Sequence, residues 1–312
     1  MKKSTLAWVA IIFTTMFWSS SLILAKIAYV ELTPIIFVAL RYTTAVPFLV
    51  LLVLTSRNRS DNLKQSRLNW KSILIAGMAG PFLSQILQYI GLGITTAGET
   101  LLLLNMSPVF AVILALPLLN EKITMDKIGG LLLATLGVSF IVIGGAPLDT
   151  GLGPVRILGD LIIVVSTFLF AINGIAGKIA MREVDSISVT AFSTIAAVPC
   201  IWISAAIFED LSILTQLSLT TWMIVLWVGI INSVLAFILY YESMRYIEAS
   251  RVQIALNLIS VWGVLMSVLI LNEPTSILQL LGGAFTIAGV VLTQRYARGQ
   301  NGKKISFRNH RI

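Results

Sequence analysis

The chain has 312 residues, 57% of them hydrophobic and only 12% charged, and Lys plus Arg outnumber Asp plus Glu by 22 to 14 for a formal net charge of +8. That composition excludes an ordinary soluble domain. One cysteine and one histidine exclude a disulfide framework and a Cys/His metal cluster.

Apolar stretches of about 20 residues, each long enough at 1.5 Å per residue to cross a ~30 Å hydrocarbon core, recur ten times. They lie near 6–28, 34–55, 72–93, 97–119, 127–146, 157–179, 186–208, 220–241, 250–271 and 276–296. The runs are continuous rather than alternating, so helices are expected and barrel strands are not. The first stretch has no small-residue cleavage site and is expected to be retained. Lys and Arg fall in alternate connections: 19 of the 22 lie in the N-terminus, the 56–71, 120–127, 178–182 and 245–251 regions and the tail. The positive-inside rule then puts both termini in the cytoplasm, multi-pass in a plasma membrane. The basic balance reflects orientation, and no nucleic-acid partner is expected.

At a single offset of 152, Leu6–Gly145 aligns without gaps on Leu158–Ala297. The informative matches are polar or glycine: Lys26/Lys178, Glu31/Glu183, Tyr89/Tyr241, Asn105/Asn257, Asn120-Glu121/Asn272-Glu273, Gly130/Gly282 and Gly137/Gly289. Five helices per copy is an odd number, so the second copy enters the membrane upside down. Matched loops agree: five positive charges between the second and third stretches become Glu209 and Asp210 in the second copy. The expected fold is an all-α polytopic membrane protein of ten transmembrane helices in two inverted five-helix repeats, a transporter signature. The boundaries are 1–147, 148–297 and a basic cytoplasmic tail at 298–312.

The run Tyr89-Ile-Gly-Leu, Thr95-Thr-Ala-Gly, Leu104-Asn-Met-Ser-Pro-Val-Phe, Glu121 and Gly129-Gly130 to Gly137 resembles the EamA-type domain of the drug/metabolite transporter superfamily. Tyr241 through Ala249-Ser250, Asn257, Glu273, Gly282-Gly283 and Gly289 looks like a second copy. Ser260 departs from the pattern, since the first copy has Pro108, which puts a kink there in doubt. The resemblance implies bacterial inner-membrane export of amino acids, related metabolites or drugs. It also implies a central cavity lined by the first, third, fourth, sixth, eighth and ninth helices.

Polar and aromatic residues deep in those spans are the candidate substrate contacts, because an unpaired polar group in lipid costs kilocalories. Gln85, Gln88 and Tyr89 share one helix face, and Phe237, Tyr240 and Tyr241 are their repeat partners. Tyr240 and Tyr241 read either as cavity wall or as an interfacial aromatic belt. Asn105 and Asn257 either bind substrate or pin a neighbouring helix. Trp18, Ser21, Asn173 and Trp262 complete the candidates. Arg41, two turns into the second span, is read as half of an external gate with Glu99, or as an arginine snorkelling to headgroups. Glu121 and Glu273 are expected to be structural, each complementing the start of the helix that follows it. Gly130, Gly137, Gly282 and Gly289 are expected to form helix-packing grooves.

No zinc-protease motif, Ser/His pair or P-loop is present, so neither an enzyme nor a cofactor is expected. The expected partners are a small-molecule substrate and the lipid bilayer, with the chain a monomer or homodimer. The expected function is a secondary transporter of small organic metabolites. The alternatives are a carrier of nucleotide sugars or phosphorylated metabolites, and a passive channel.

Overall fold

The computed structural model describes residues 3–56, 59–94, 100, 103–145, 154–271 and 276–300. No strand occurs among them. The first half contains α1 (Lys3–Ala28), α2 (Pro34–Thr55), α3 (Arg59–Leu68), α4 (Trp70–Gly77), α5 (Gln85–Ile94), α6 (Ser107–Leu119) and α7 (Met125–Gly145). The second contains α8 (Pro154–Ala180), α9 (Ser186–Phe208), α10 (Leu219–Trp227), α11 (Ala236–Tyr246), α12 (Ala249–Ala255), α13 (Leu258–Leu271) and α14 (Ile277–Gln300). Among the described residues seven helical segments are long and apolar enough to cross a membrane: 3–28, 34–55, 70–94, 157–180, 186–208, 219–246 and 249–266. Ser107–Leu119 and Ile277–Thr293 are shorter apolar helices.

Local chemistry sets several helix ends. Pro34 occupies the first turn of α2, where its missing N–H costs nothing. The free N–H groups of Ile35 and Ile36 donate to Glu209, at 3.0 and 2.7 Å. Asp185 caps α9 by accepting from Ser188 N–H, and Ser218 caps α10 by accepting from Thr221 N–H. The connection at 56–71, read as a loop, instead folds into the polar helix α3. Asp61 in its first turn and Arg67 in its last complement the helix dipole.

Two spans are interrupted at matching places. A π turn covers Met78–Ser84 between α4 and α5, and another covers Val228–Leu235 between α10 and α11. In the first, Pro81 removes a backbone donor. In the second, Ser233 Oγ donates to the Val228 carbonyl five residues back, at 3.0 Å. Pro81 and Ser233 are repeat partners, so proline and serine reach the same irregular geometry by different chemistry. A second pair of breaks falls at Asn105–Met106, just before α6, and at Leu256–Asn257, between α12 and α13. The doubt raised by Ser260 is thus answered: the second half breaks without a proline. Tight bonds from Leu256 N–H to the Gln253 carbonyl and from Asn257 N–H to the Ile254 carbonyl close the turn.

The halves exchange partners reciprocally. α1 packs on α11 and α13 of the second half, while α8 packs on α5 and α6 of the first; α2 pairs with α9 and α7 with α14. The α7–α14 contact depends on glycine. A Cβ on Gly137 would stand 2.5 Å from Thr286 N and 2.6 Å from the Gly282 carbonyl oxygen, and one on Gly289 2.6 Å from the Gly130 oxygen. Only hydrogen at these positions lets the two backbones touch.

Glu121 requires a correction. Expected at the start of its own following helix, it reaches instead across the bundle to α12. It accepts Ala249 N–H at 2.7 Å and the Ser250 hydroxyl at 2.5 Å. The physical reason is that Glu248, the residue preceding α12, makes no side-chain cap, leaving orphan donors there. Asn120, in the left-handed conformation at φ 54°, ends α6 just before Glu121. Lys178 Nζ at 3.1 Å and Lys127 Nζ at 3.4 Å complete the carboxylate's shell. Lys127 and Arg251 both reach Glu248, and Arg251 also reaches Asp126. Glu273 lies outside the described residues.

Candidate functional site

Between the two halves lies a cavity that is in part open to solvent. Its walls follow the repeat. Trp18 and Phe170, Gln85 and Phe237, Leu104 and Leu256, Asn105 and Asn257, and Ser107 and Ile259 all line it. Each of these pairs is separated by the 152-residue offset. Ser21 and Leu22 on α1, Gln88 and Tyr89 on α5, Thr167 on α8, Ser260 on α13 and Arg41 on α2 complete the lining.

The walls are chemically unequal. At one side Arg41 is buried, 2% exposed. Its Nε donates to Ser233 Oγ at 2.6 Å, and its Nη1 to Gln85 Oε1 at 3.0 Å and Tyr89 Oη at 2.8 Å. Ser21 Oγ lies 2.7 Å from the same phenol, and Gln85 Nε2 donates to Gln88 at 3.2 Å. At the other side Trp18 meets Phe170 edge-on at 5.6 Å and Phe237 at 5.0 Å between ring centroids. Repeat symmetry explains the contrast. The polar set Arg41, Gln85, Gln88 and Tyr89 corresponds in the second half to Ser193, Phe237, Tyr240 and Tyr241. A pseudo-symmetric scaffold therefore presents one polar and one aromatic wall, which suits an amphipathic solute.

The structure gathers Trp18, Ser21, Gln85, Gln88, Tyr89, Asn105 and Asn257 at one cavity together with Arg41, and leaves Tyr240, Tyr241, Asn173 and Trp262 out of its lining. Tyr240 and Tyr241 are fully buried and belong neither to the lining nor to an interfacial belt. Tyr240 Oη accepts from Gln253 Nε2 at 2.8 Å, and Tyr241 Oη from Asn173 Nδ2 at 2.8 Å. Their hydroxyls find these partners under the aromatic wall, because a buried phenol needs one. Asn173 is occupied by that bond and by one to the Ala76 carbonyl at 2.8 Å. It locks the close packing of α8 on α4. Trp262 Nε1 donates to Thr15 at 3.0 Å and ties α13 to α1.

The snorkelling reading of Arg41 is overturned: its guanidinium turns into the protein, where four polar side chains satisfy it, rather than outward to headgroups. Its proposed partner Glu99 lies outside the described residues. The sequence reading missed Arg41 as a wall of the cavity, together with Phe170, Thr167 and Ser107. Phe170 could have been found, since it is the repeat partner of Trp18.

Below the aromatic wall, at the face of the bundle where α1 begins, lie Glu121 and Lys178. Burial raises the Glu121 pKa, but Lys178, Ser250 and Lys127 outweigh it and hold the carboxyl below its usual 4.5. Among the described residues no group of three or more His, Cys, Asp or Glu side chains could hold a metal.

The EamA-like transporter family model matches twice, over residues 5–143 and 157–295. An uncharacterized transporter of Archaeoglobus fulgidus is 27% identical over 284 residues, covering 90% of this chain and 94% of its own length. Another, from Methanothermobacter thermautotrophicus, is 26% identical, covering 91% and 85%. The uncharacterized transporter YetK of Bacillus subtilis is 28% identical, covering 71% and 67%. A crystal structure with 17% sequence identity superposes with a TM-score of 0.77, covering 95% of this chain and 98% of the other, a likeness of fold alone. With both halves matched and the long apolar helices in place, the chain is a multi-pass membrane protein that belongs to the EamA-like transporter family.

Proposed function

We propose that the chain is a secondary carrier that exports small organic metabolites of amphipathic character, amino acids and aromatic compounds among them. Alternating access about the central cavity moves them. The observation that carries this reading is the lining itself: five repeat-related pairs of residues, one member from each half, face the same space. A cavity shared in this way can be exposed to either side by rocking one half against the other.

In this reading ten helices cross a bacterial inner membrane in two inverted repeats, with both termini in the cytoplasm. The Glu121, Lys178 and Lys127 cluster then lies at the cytoplasmic end, beneath the packed rings of Trp18, Tyr240 and Phe237. It acts as the cytoplasmic seal of an outward-facing state. Opening inward requires that seal to part, so its ion pairs set the balance between the two states.

The test is counterflow in proteoliposomes preloaded with candidate solutes. Saturable exchange against a preloaded aromatic metabolite supports a carrier, whereas flux that neither saturates nor exchanges supports a channel and contradicts the proposal.

A further inference from the structure

Arg41 places a permanent cation in a cavity where the described residues offer it no anion. Guanidinium groups are effectively always charged, and burying a charge without a counter-charge is expensive even when hydrogen bonds soften the cost. The partners of Arg41 are the neutral groups of Ser233, Gln85, Tyr89 and Ser21. Among the described residues no carboxylate pairs with it, and none lines the cavity. An unsatisfied donor stands beside this uncompensated charge: Asn257 is 1% exposed, lines the same cavity, and its Nδ2 has no hydrogen-bond partner. A cation without a counter-charge and an amide donor without an acceptor, facing a wall of Trp18, Phe170 and Phe237, describe a receptor for an anion with an apolar body.

Building on the carrier reading above, we infer that the substrate is an organic monocarboxylate with an aromatic or similarly apolar body. Its carboxylate pairs with Arg41 and its body rests on the Trp18 wall. One cation matches one carboxylate. A phosphate monoester, carrying about −1.5 to −2 at neutral pH, would remain undercompensated, and a cationic drug would meet like charge. Arginine suits the role because its guanidinium carries five N–H donors, and the bonds to Ser233, Gln85, Tyr89 and Ser21 all leave from Nε and Nη1. Arg41 is particular to the first half, its repeat partner being Ser193, so the site accepts the anion in one orientation.

The experiment is isothermal titration of the purified full chain with three matched probes: 3-phenylpropionate, 3-phenylpropionamide and 3-phenylpropylamine. The expected result is binding of the carboxylate at least about tenfold tighter than the amide, as a charge-assisted bond implies, with the amine weakest. Arg41→Gln should reduce carboxylate affinity to that of the amide, and Arg41→Lys should keep part of the difference. If Arg41→Gln does not fold, the ranking of the three probes on the wild-type chain still decides. Amide or amine binding as tight as carboxylate binding overturns the inference while leaving the carrier reading intact, because the cavity has still taken an aromatic solute. Binding of none of the three overturns it as well, and counterflow with the broader panel then judges the carrier reading on its own.

Discussion

The Glu121 carboxylate accepts the backbone N–H of Ala249 at 2.7 Å across 128 positions of sequence, joining the loop after α6 to the first turn of α12. Glu121→Gln removes the charge that Lys178 and Lys127 face while keeping the side chain's shape. Breaking a buried pair from one side costs about 3–5 kcal/mol. We expect a lower melting temperature than wild type, with a smaller loss in a Lys127→Met, Glu121→Gln double variant than the two single losses combined. A thermal-unfolding cycle over the four proteins measures this coupling.

Acid should act through the same residue. The folded pKa of Glu121 is depressed, so the stabilisation it gives is present above its ordinary value of 4.5 and is lost as pH falls through the lower folded value. The difference in melting temperature between wild type and Glu121→Gln should therefore stay constant from neutral pH down to about 5. It should shrink below 4.5. A difference that is constant through the acid range would show that Glu121 gains nothing from its charge.

Helix packing gives a sharper contrast. A Cβ at Gly137 would press on the Thr286 nitrogen and the Gly282 oxygen, both backbone, whereas one at Gly283 meets nothing within 4 Å. Gly137→Val should push α7 from α14 and destabilise the chain by several kcal/mol, beyond the usual 1–3 kcal/mol of overpacking. Gly283→Ala should be neutral. Comparing the two melting curves tests the contact without any knowledge of substrate.

Asn173 holds Tyr241 and the Ala76 carbonyl but does not line the cavity. Asn173→Ala leaves both groups unpaired, at about 1–3 kcal/mol for each. Its stability should fall while the order of preference among transported solutes stays that of the wild type. A changed substrate ranking would return Asn173 to the binding site.

What the sequence made legible was periodicity and symmetry. The 152-residue offset finds helix positions and pairs Asn105 with Asn257, because equivalent backbone in the two halves carries equivalent residues. It does not tell which way a side chain faces once two copies stop being equal. Tyr89 lines the cavity and its partner Tyr241 does not, since Asn173 captures the second phenol. Arg41 invited a reading at the membrane surface because depth along a helix is readable and direction around it is not. The acceptors that turn Arg41 inward come from α1, α5 and the π turn at Ser233, three elements that only folding brings together. The π turns were illegible for another reason: Pro81 hints at one, while its partner Ser233 is an ordinary residue whose hydroxyl makes the bend only in place.

The central claim is that solute crosses through the cavity shared by the two halves. Counterflow of a solute that the wild-type protein exchanges should be measured in Ser260→Trp, a substitution that fills the cavity from α13, beside Gly283→Ala, which lies away from it. Lost exchange in a folded Ser260→Trp protein, with normal exchange in Gly283→Ala, is the predicted result. Undiminished saturable exchange in the blocked protein would place the path elsewhere and contradict the account.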